Sequence, residues 1–196
     1  MDYQAIGAAV LQTETECLTH INETMDWAAF AKAVELLAAV PRIATSGCGH
    51  SGIACTHFAH SLCCIERPAR FLPPSEAVHG ATGFLQLGDA LVVASRGGKT
   101  AELLPIMDIA RAKGCAIVCV TENLSSPMAQ KADIVLPLNI LRETDKYNAQ
   151  GTSSFVGLSA IFDALQAALI EYTGYQSEQF ALIHPGGAVG ERLNGR

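Results

Sequence analysis

The stretch Arg42-Ile43-Ala44-Thr45-Ser46-Gly47-Cys48-Gly49-His50-Ser51-Gly52 decides how the rest of the chain reads. A short apolar run meets glycines at once, as a strand buried on both faces of a parallel sheet does. A helix follows from about Ser51 to Cys64. The alternation then repeats. Ala69–Leu72, Ala90–Ser95, Ala116–Thr121 and Ile134–Leu138 are further strand candidates, and Thr100–Lys113 and Pro127–Lys131 are helices between the later ones. Strands of continuous apolar character alternating with helices specify an α/β fold. The expected form is a three-layer αβα sandwich, doubly wound around a central, mainly five-stranded parallel sheet.

Working outward, the first 40 residues read as two helices. Ile6, Val10, Cys17, Leu18 and Ile21 fall roughly at helical spacing. Asn22 or Thr24 ends the first helix, and Asp26 caps a second that runs through Phe30, Val34 and Leu37 to stop before Pro41. A last helix spans about Thr152 to Tyr172. With no repeat, linker or low-complexity segment, residues 1–196 read as a single domain with the N-terminal helices packed on it.

Composition narrows the function classes. The chain is 49% apolar and 16% charged, which excludes a disordered protein. A formal net charge of −6 argues against nucleic acid or an anionic membrane as partner, and leaves room for a local basic pocket that takes one small anion. The start Met1–Glu16 lacks the basic, then apolar, pattern of a secretion signal, and no uninterrupted apolar run approaches a membrane span, so the expectation is a cytoplasmic protein. Seven cysteines, an odd number in a chain with an ample core, do not form a disulfide framework, and no C-x-x-C pair supports a redox or zinc site. They read as reduced core residues, except Cys48 in its glycine loop.

Ligands of open parallel sheets bind outside the carboxyl ends of the strands. The third-strand loop, Ser95-Arg96-Gly97-Gly98-Lys99-Thr100, is the most informative. Glycines let backbone amides face an anion, Ser95 and Thr100 add hydroxyls, Arg96 and Lys99 add charge, and the next helix offers its N-terminus. A tight strand-to-helix turn with a capping Thr has the same appearance. The string GGKT invites a Walker A reading, but that motif needs Gly where Val93 stands. The first loop carries Gly47-x-Gly49-x-x-Gly52, the dinucleotide fingerprint. The acidic residue that should end the second strand is missing, since Phe71-Leu72-Pro73-Pro74 stands there and Glu76 follows only beyond it. The alternative is that small residues let the helix pack closely while Ser51 points at a ligand. Glu102, expected on the first helical turn, Glu143 in the loop after the last strand, His79 and His184 complete the polar candidates. Each alone also fits a structural role: a dipole-favoured carboxylate, a solvated one, or a turn histidine.

In order along the chain, Ser46-Gly-x-Gly-x-Ser-Gly52, Glu76-Ala-x-His-Gly80, Ser95-x-x-Gly-x-Thr-x-Glu102, Thr152-Ser-Ser154 and the ending Phe180-Ala-Leu-Ile-His-Pro-Gly-Gly-Ala-Val-Gly190 resemble a sugar isomerase (SIS) domain. Within that superfamily the chain is most similar to the arabinose 5-phosphate isomerases, over nearly its whole length. The resemblance implies interconversion of an aldose phosphate and its ketose through an enediol, with no metal or other cofactor. It implies that Ser51, Ser95, Gly97, Gly98 and Thr100 hold the phosphate, helped by Thr152, Ser153 and Ser154, with Gly49 and His50 beside the substrate. It places the general acid and base among Glu143, Glu102, His79 and His184, with Glu143 expected as carbon-proton base and His184 as ring opener or oxygen-side acid. It further implies a homotetramer whose sites are shared between subunits, so that His79 or His184 serves a neighbour. The chain departs from the pattern in carrying His50 where the family has Lys, in carrying Gly97 and Lys99 for a second Ser and a Glu, and in stopping soon after HPGGAVG without the CBS modules of many relatives. The rival expectations are a non-catalytic sugar-phosphate-binding module acting through a protein partner, and a dinucleotide binder.

Overall fold

The computed structural model describes residues 1–195. Two helices, α1 (Tyr3–Thr24) and α2 (Trp27–Ala39), lead into β1 (Ile43–Gly47), α3 (Gly49–Cys64) and β2 (Ala69–Phe71). After a short α4 (Pro74–Ala77) and a 3-10 turn (Ala81–Phe84) come β3 (Ala90–Ala94), α5 (Leu104–Ala112), β4 (Ala116–Thr121), α6 (Pro127–Lys131) and β5 (Ile134–Pro137). The long α7 (Ser153–Thr173) and two short helices, α8 (Ser177–Ile183) and α9 (Gly187–Leu193), follow.

All five strands are parallel, in the order β2-β1-β3-β4-β5. The chain leaves β1 for β2 on one side and then crosses to β3 on the other. The carboxyl ends of β1 and β3 therefore flank the crevice where the winding direction reverses. Alternate residues of each strand feed two cores. Ala90, Val92, Ala94, Val118 and Val120 pack with α1, α2, α3 and α7, while Leu91, Val93, Ile117 and Cys119 pack with α4, α5 and α6. This is the expected αβα sandwich. Its helical layer is fastened by Phe58 of α3 and Phe162 of α7, fully buried and stacked with centroids 4.3 Å apart. Among the described helices α7 alone has the length and apolarity of a membrane span, and Leu158, Ile161, Phe162, Leu165 and Leu169 bury its inner face in the first core.

Most element boundaries agree with the sequence reading to within a residue or two, including Asp26, whose side chain accepts from the Ala29 amide at the start of α2. The helix expected from Thr100 is corrected. It begins at Leu104, after a turn closed by Leu103 N–H to Thr100 O at 3.1 Å. Pro105 is the reason. It lacks the N–H that a helix begun at Thr100 would need, and its ring would crowd the Ala101 carbonyl; as the second residue of α5 it costs nothing. Both α8 and α9 escaped the sequence reading, and α8 buries none of its residues.

Candidate active site

The Ser95–Thr100 loop closes tightly at the end of β3. The Gly98 amide donates to Ser95 O at 3.1 Å and to Ser95 Oγ at 3.2 Å, and the Ser95 and Thr100 hydroxyls lie 2.8 Å apart. Gly98 has φ +63°, and a Cβ there would overlap Ser126 Oγ and press on Thr121 Oγ1, so glycine is required twice over. Its carbonyl accepts from the Met128 amide, which ties the loop to α6. Gly97 and Lys99 form the exposed rim. Ser95 and Thr100 thus face one another beneath a turn whose outer amides and one lysine are open to an anion.

Arg96 does not join them. Its Nε donates to Glu122 Oε2 at 2.7 Å and its Nη1 to Glu143 Oε1 at 2.8 Å. Its carbonyl accepts from the Glu122 amide and the Thr121 hydroxyl, each at 3.0 Å. The Glu143 side chain is 2% exposed. Its second oxygen accepts from Thr152 N–H at 2.9 Å, Thr152 Oγ1 at 3.0 Å and Ser154 N–H at 3.1 Å. This carboxylate occupies the N-terminus of α7, where a helix favours an anion. Burial pushes its pKa up, but the donors of Ser154 and Thr152 outweigh burial and hold it below the ordinary carboxylate value. A general base needs a free lone pair in reach of substrate and a pKa near the working pH. The geometry weighs against that role for Glu143, and against Thr152 and Ser154 as free phosphate donors. Ser153 faces inward, fully buried, its hydroxyl without a partner among the described residues.

The loop that carries Glu143 is itself built. Asp145 accepts from the amides of Tyr147, Ala149 and Gln150, and these bonds lower its pKa. Asn148, at φ +54°, accepts from the Glu143 amide at 2.7 Å. On the opposite side, Arg142 donates to Thr13 Oγ1 of α1 at 2.8 Å. Gly151 lies against the His50 imidazole, so closely that a Cβ there would come 2.8 Å from Nδ1.

In the first loop, Gly47 and Gly52 face each other across the turn. A Cβ on Gly52 would stand 2.6 Å from Gly47 O, and one on Gly47 would be 2.9 Å from the Ser51 backbone. The fingerprint spacing therefore serves strand-to-helix contact, as the bland reading had it. Gly49, with φ +55°, and His50 are exposed at the start of α3, and Ser51 is half-buried beside them. Glu102 is exposed in the turn between the β3 loop and α5, with no side-chain hydrogen bond among the described residues; desolvation, and after it the Glu102 charge, raise the pKa of the Cys48 thiol in the β1 loop.

Neither His79 nor His184 makes a side-chain bond to the crevice residues among the described residues. His79 is exposed after α4, beyond the edge strand β2, with only its backbone amide bonded, to Glu76 O. His184 ends α8 and rests against Phe180, ring centroids 4.9 Å apart, its Nδ1 buried without a partner among the described residues. Phe180 lines a cavity of about 300 Å³ with Cys64 and Ile65, and Gln179 bonds Glu66 at 2.8 Å. Those residues precede β2, at the amino edge of the sheet. Since α7 rises roughly 30 Å from Ser153 to Thr173, His184 lies near the wrong end of the fold for its own chain's crevice. The Arg96 bracket was missed in the sequence, where Arg96 counted only as charge for an anion. The available signal was that Arg96, Glu122 and Glu143 each follow one of three adjacent strands. No three His, Cys, Asp or Glu side chains converge as metal ligands among the described residues.

Residues 36–168 match the model of the SIS domain. The chain is 36% identical to an arabinose 5-phosphate isomerase of Pseudomonas aeruginosa over 84% of its own length and 51% of that protein's, so it spans about half the length of the curated relatives it matches. Its fold superposes on a candidate sugar-phosphate isomerase from Listeria monocytogenes with a TM-score of 0.91 at 42% identity, covering 95% of this chain and 100% of that one. A candidate phosphosugar isomerase of Bacteroides fragilis involved in capsule formation gives 0.85 at 31% identity, over 90% and 94% of the two chains.

Proposed function

The chain belongs to the SIS domain family, and from that footing we propose that it is an aldose–ketose isomerase acting on a sugar phosphate, with arabinose 5-phosphate and ribulose 5-phosphate as the first pair to test. The observation that carries the proposal is one juxtaposition at the carboxyl end of β3, next to β1: a glycine turn with Gly97 and Lys99 exposed on its rim, and Glu102 just beyond it, exposed and without a side-chain hydrogen bond among the described residues. Gly97, Lys99 and Thr100 take the phosphate on a turn shaped by Gly98, whose own amide is spent on Ser95, and Gly49, His50 and Ser51 line the sugar.

The carbon-proton role passes from Glu143 to Glu102. Glu102 removes the proton from the carbon beside the carbonyl, giving an enediol, and returns it to the neighbouring carbon. A histidine moves the proton between the two oxygens. The overall change is one proton relocated on carbon and one on oxygen, so nothing is oxidised or reduced in sum. His184 fills the oxygen-side role in a neighbouring subunit, consistent with its position at the far edge of its own fold and with the shared sites expected of a homotetramer. Seven free thiols fit the expected cytoplasmic setting.

Turnover of arabinose 5-phosphate in heavy water should place deuterium beside the carbonyl, and Glu102→Gln should cut kcat by about 10³-fold with the fold intact. Full activity of that variant would refute the assignment. One observation favours the other reading, a binding module acting through a protein partner: within a single chain His184 packs by α8 against the end of α3, at the far edge of the fold from the Glu102 crevice. Tight sugar-phosphate binding by a monomer that exchanges no deuterium would establish it.

A further inference from the structure

Arg96 sits inside the loop assigned to the phosphate, yet its charge is directed elsewhere. One cation faces two carboxylates, so Arg96, Glu122 and Glu143 together carry a net negative charge and do not attract an anion. What the three residues do share is position. Arg96 follows β3, Glu122 follows β4 and Glu143 lies in the loop after β5, three neighbouring strands. Once the strands end the ladder runs on for only a residue or two, through Glu122 N–H to Arg96 O and Leu138 N–H to Thr121 O, each at 3.0 Å. Among the described residues no backbone bond joins the Glu143 stretch to the other two loops. The guanidinium supplies that link with two directed bonds, and the Arg96 carbonyl adds two more from the β4 loop. From Glu143 the network continues through Thr152 and Ser154 into the first turn of α7.

We infer that Arg96 is a positioning residue, a clasp that closes the β3, β4 and β5 loops into one rim and thereby sets the Gly97–Thr100 turn at a fixed distance from the N-terminus of α7. The inference rests on reading that turn as the phosphate cradle. A guanidinium suits the task because its planar fork serves two carboxylates at once in a fixed geometry, where a lysine would satisfy only one. Arg96 acts on a bound phosphate through Glu143 and the turn it holds, without contact of its own.

The test is a double-mutant cycle on arabinose 5-phosphate affinity, followed by phosphorus NMR, with Arg96→Gln, Glu143→Gln, the double variant and Arg96→Lys. Arg96→Gln should weaken binding about tenfold in the native background and less than about twofold once Glu143 is Gln. Arg96→Lys should recover part of the loss. An equal loss in both backgrounds would make Arg96 a direct phosphate ligand and overturn the clasp. A lowered melting temperature with unchanged affinity of the folded protein would make it merely structural, which also overturns it. Amide exchange without ligand separates this inference from the reading of the site. If wild type binds no arabinose 5-phosphate, the cradle reading fails, while faster exchange at Thr152 and Ser154 in Arg96→Gln still supports the clasp and unchanged exchange there rejects it.

Discussion

The rim of loops at the carboxyl edge of the sheet and the α8–α9 arm at the amino edge both carry residues that resemble one family's active site, yet they are built in opposite ways. In the rim, one set of polar groups is fixed by partners: Arg96 by two carboxylates, Glu143 by Thr152 and Ser154, Asp145 by three amides. In the arm, α8 buries nothing and His184 is steadied only by Phe180.

That contrast can be broken most sharply at His184. His184→Ala should lower kcat about 10²- to 10⁴-fold while shifting stability by less than about 0.5 kcal/mol. Mixing it with Glu102→Gln should restore about a quarter of the sites if the two residues meet across subunits. No recovery on mixing would return His184 to its own chain. Glu143→Ala should do the reverse, costing about 3 kcal/mol in denaturant unfolding, because it leaves Arg96 Nη1 and the Thr152 and Ser154 amides without their acceptor. The pH dependence has a definite sign. The folded Glu143 carboxyl lies below its ordinary value, so its contribution is full above the unfolded pKa of about 4.3 and is lost as pH falls through the folded one. Wild type should therefore lose stability in that window more steeply than Glu143→Gln. Gly98→Ala should cost about 2 kcal/mol through strain and the clash with Ser126, and should weaken phosphate binding with it. Asp145→Asn, on an exposed loop, should have the smallest effect and show mainly as faster exchange at Ala149 and Gln150.

The sheet was legible because its strands are apolar on both faces and each ends at a loop of small or polar residues; β4 and α6 fall where the pattern put them. The start of α5 was misplaced because Thr100, Ala101 and Glu102 look like a helix entrance, and only Pro105 says otherwise. Nothing in local periodicity marks α8, since a helix that buries no face leaves no apolar stripe. The candidate residues themselves were visible as loop positions, but their roles were not. The partner that occupies Glu143 is 47 residues away, and a bond across that separation leaves no trace in spacing. Composition could not show which of two carboxylates is spent on architecture and which is left free.

The outermost strands carry a last consequence. β2 contributes only three residues and β5 four, the last of them Pro137, which has no N–H to offer. Neither margin presents a long row of free backbone groups, so neither can serve as a template for adding another strand. The brevity of these borders works against a continuous sheet running from one molecule into the next and favours contact through helical surfaces.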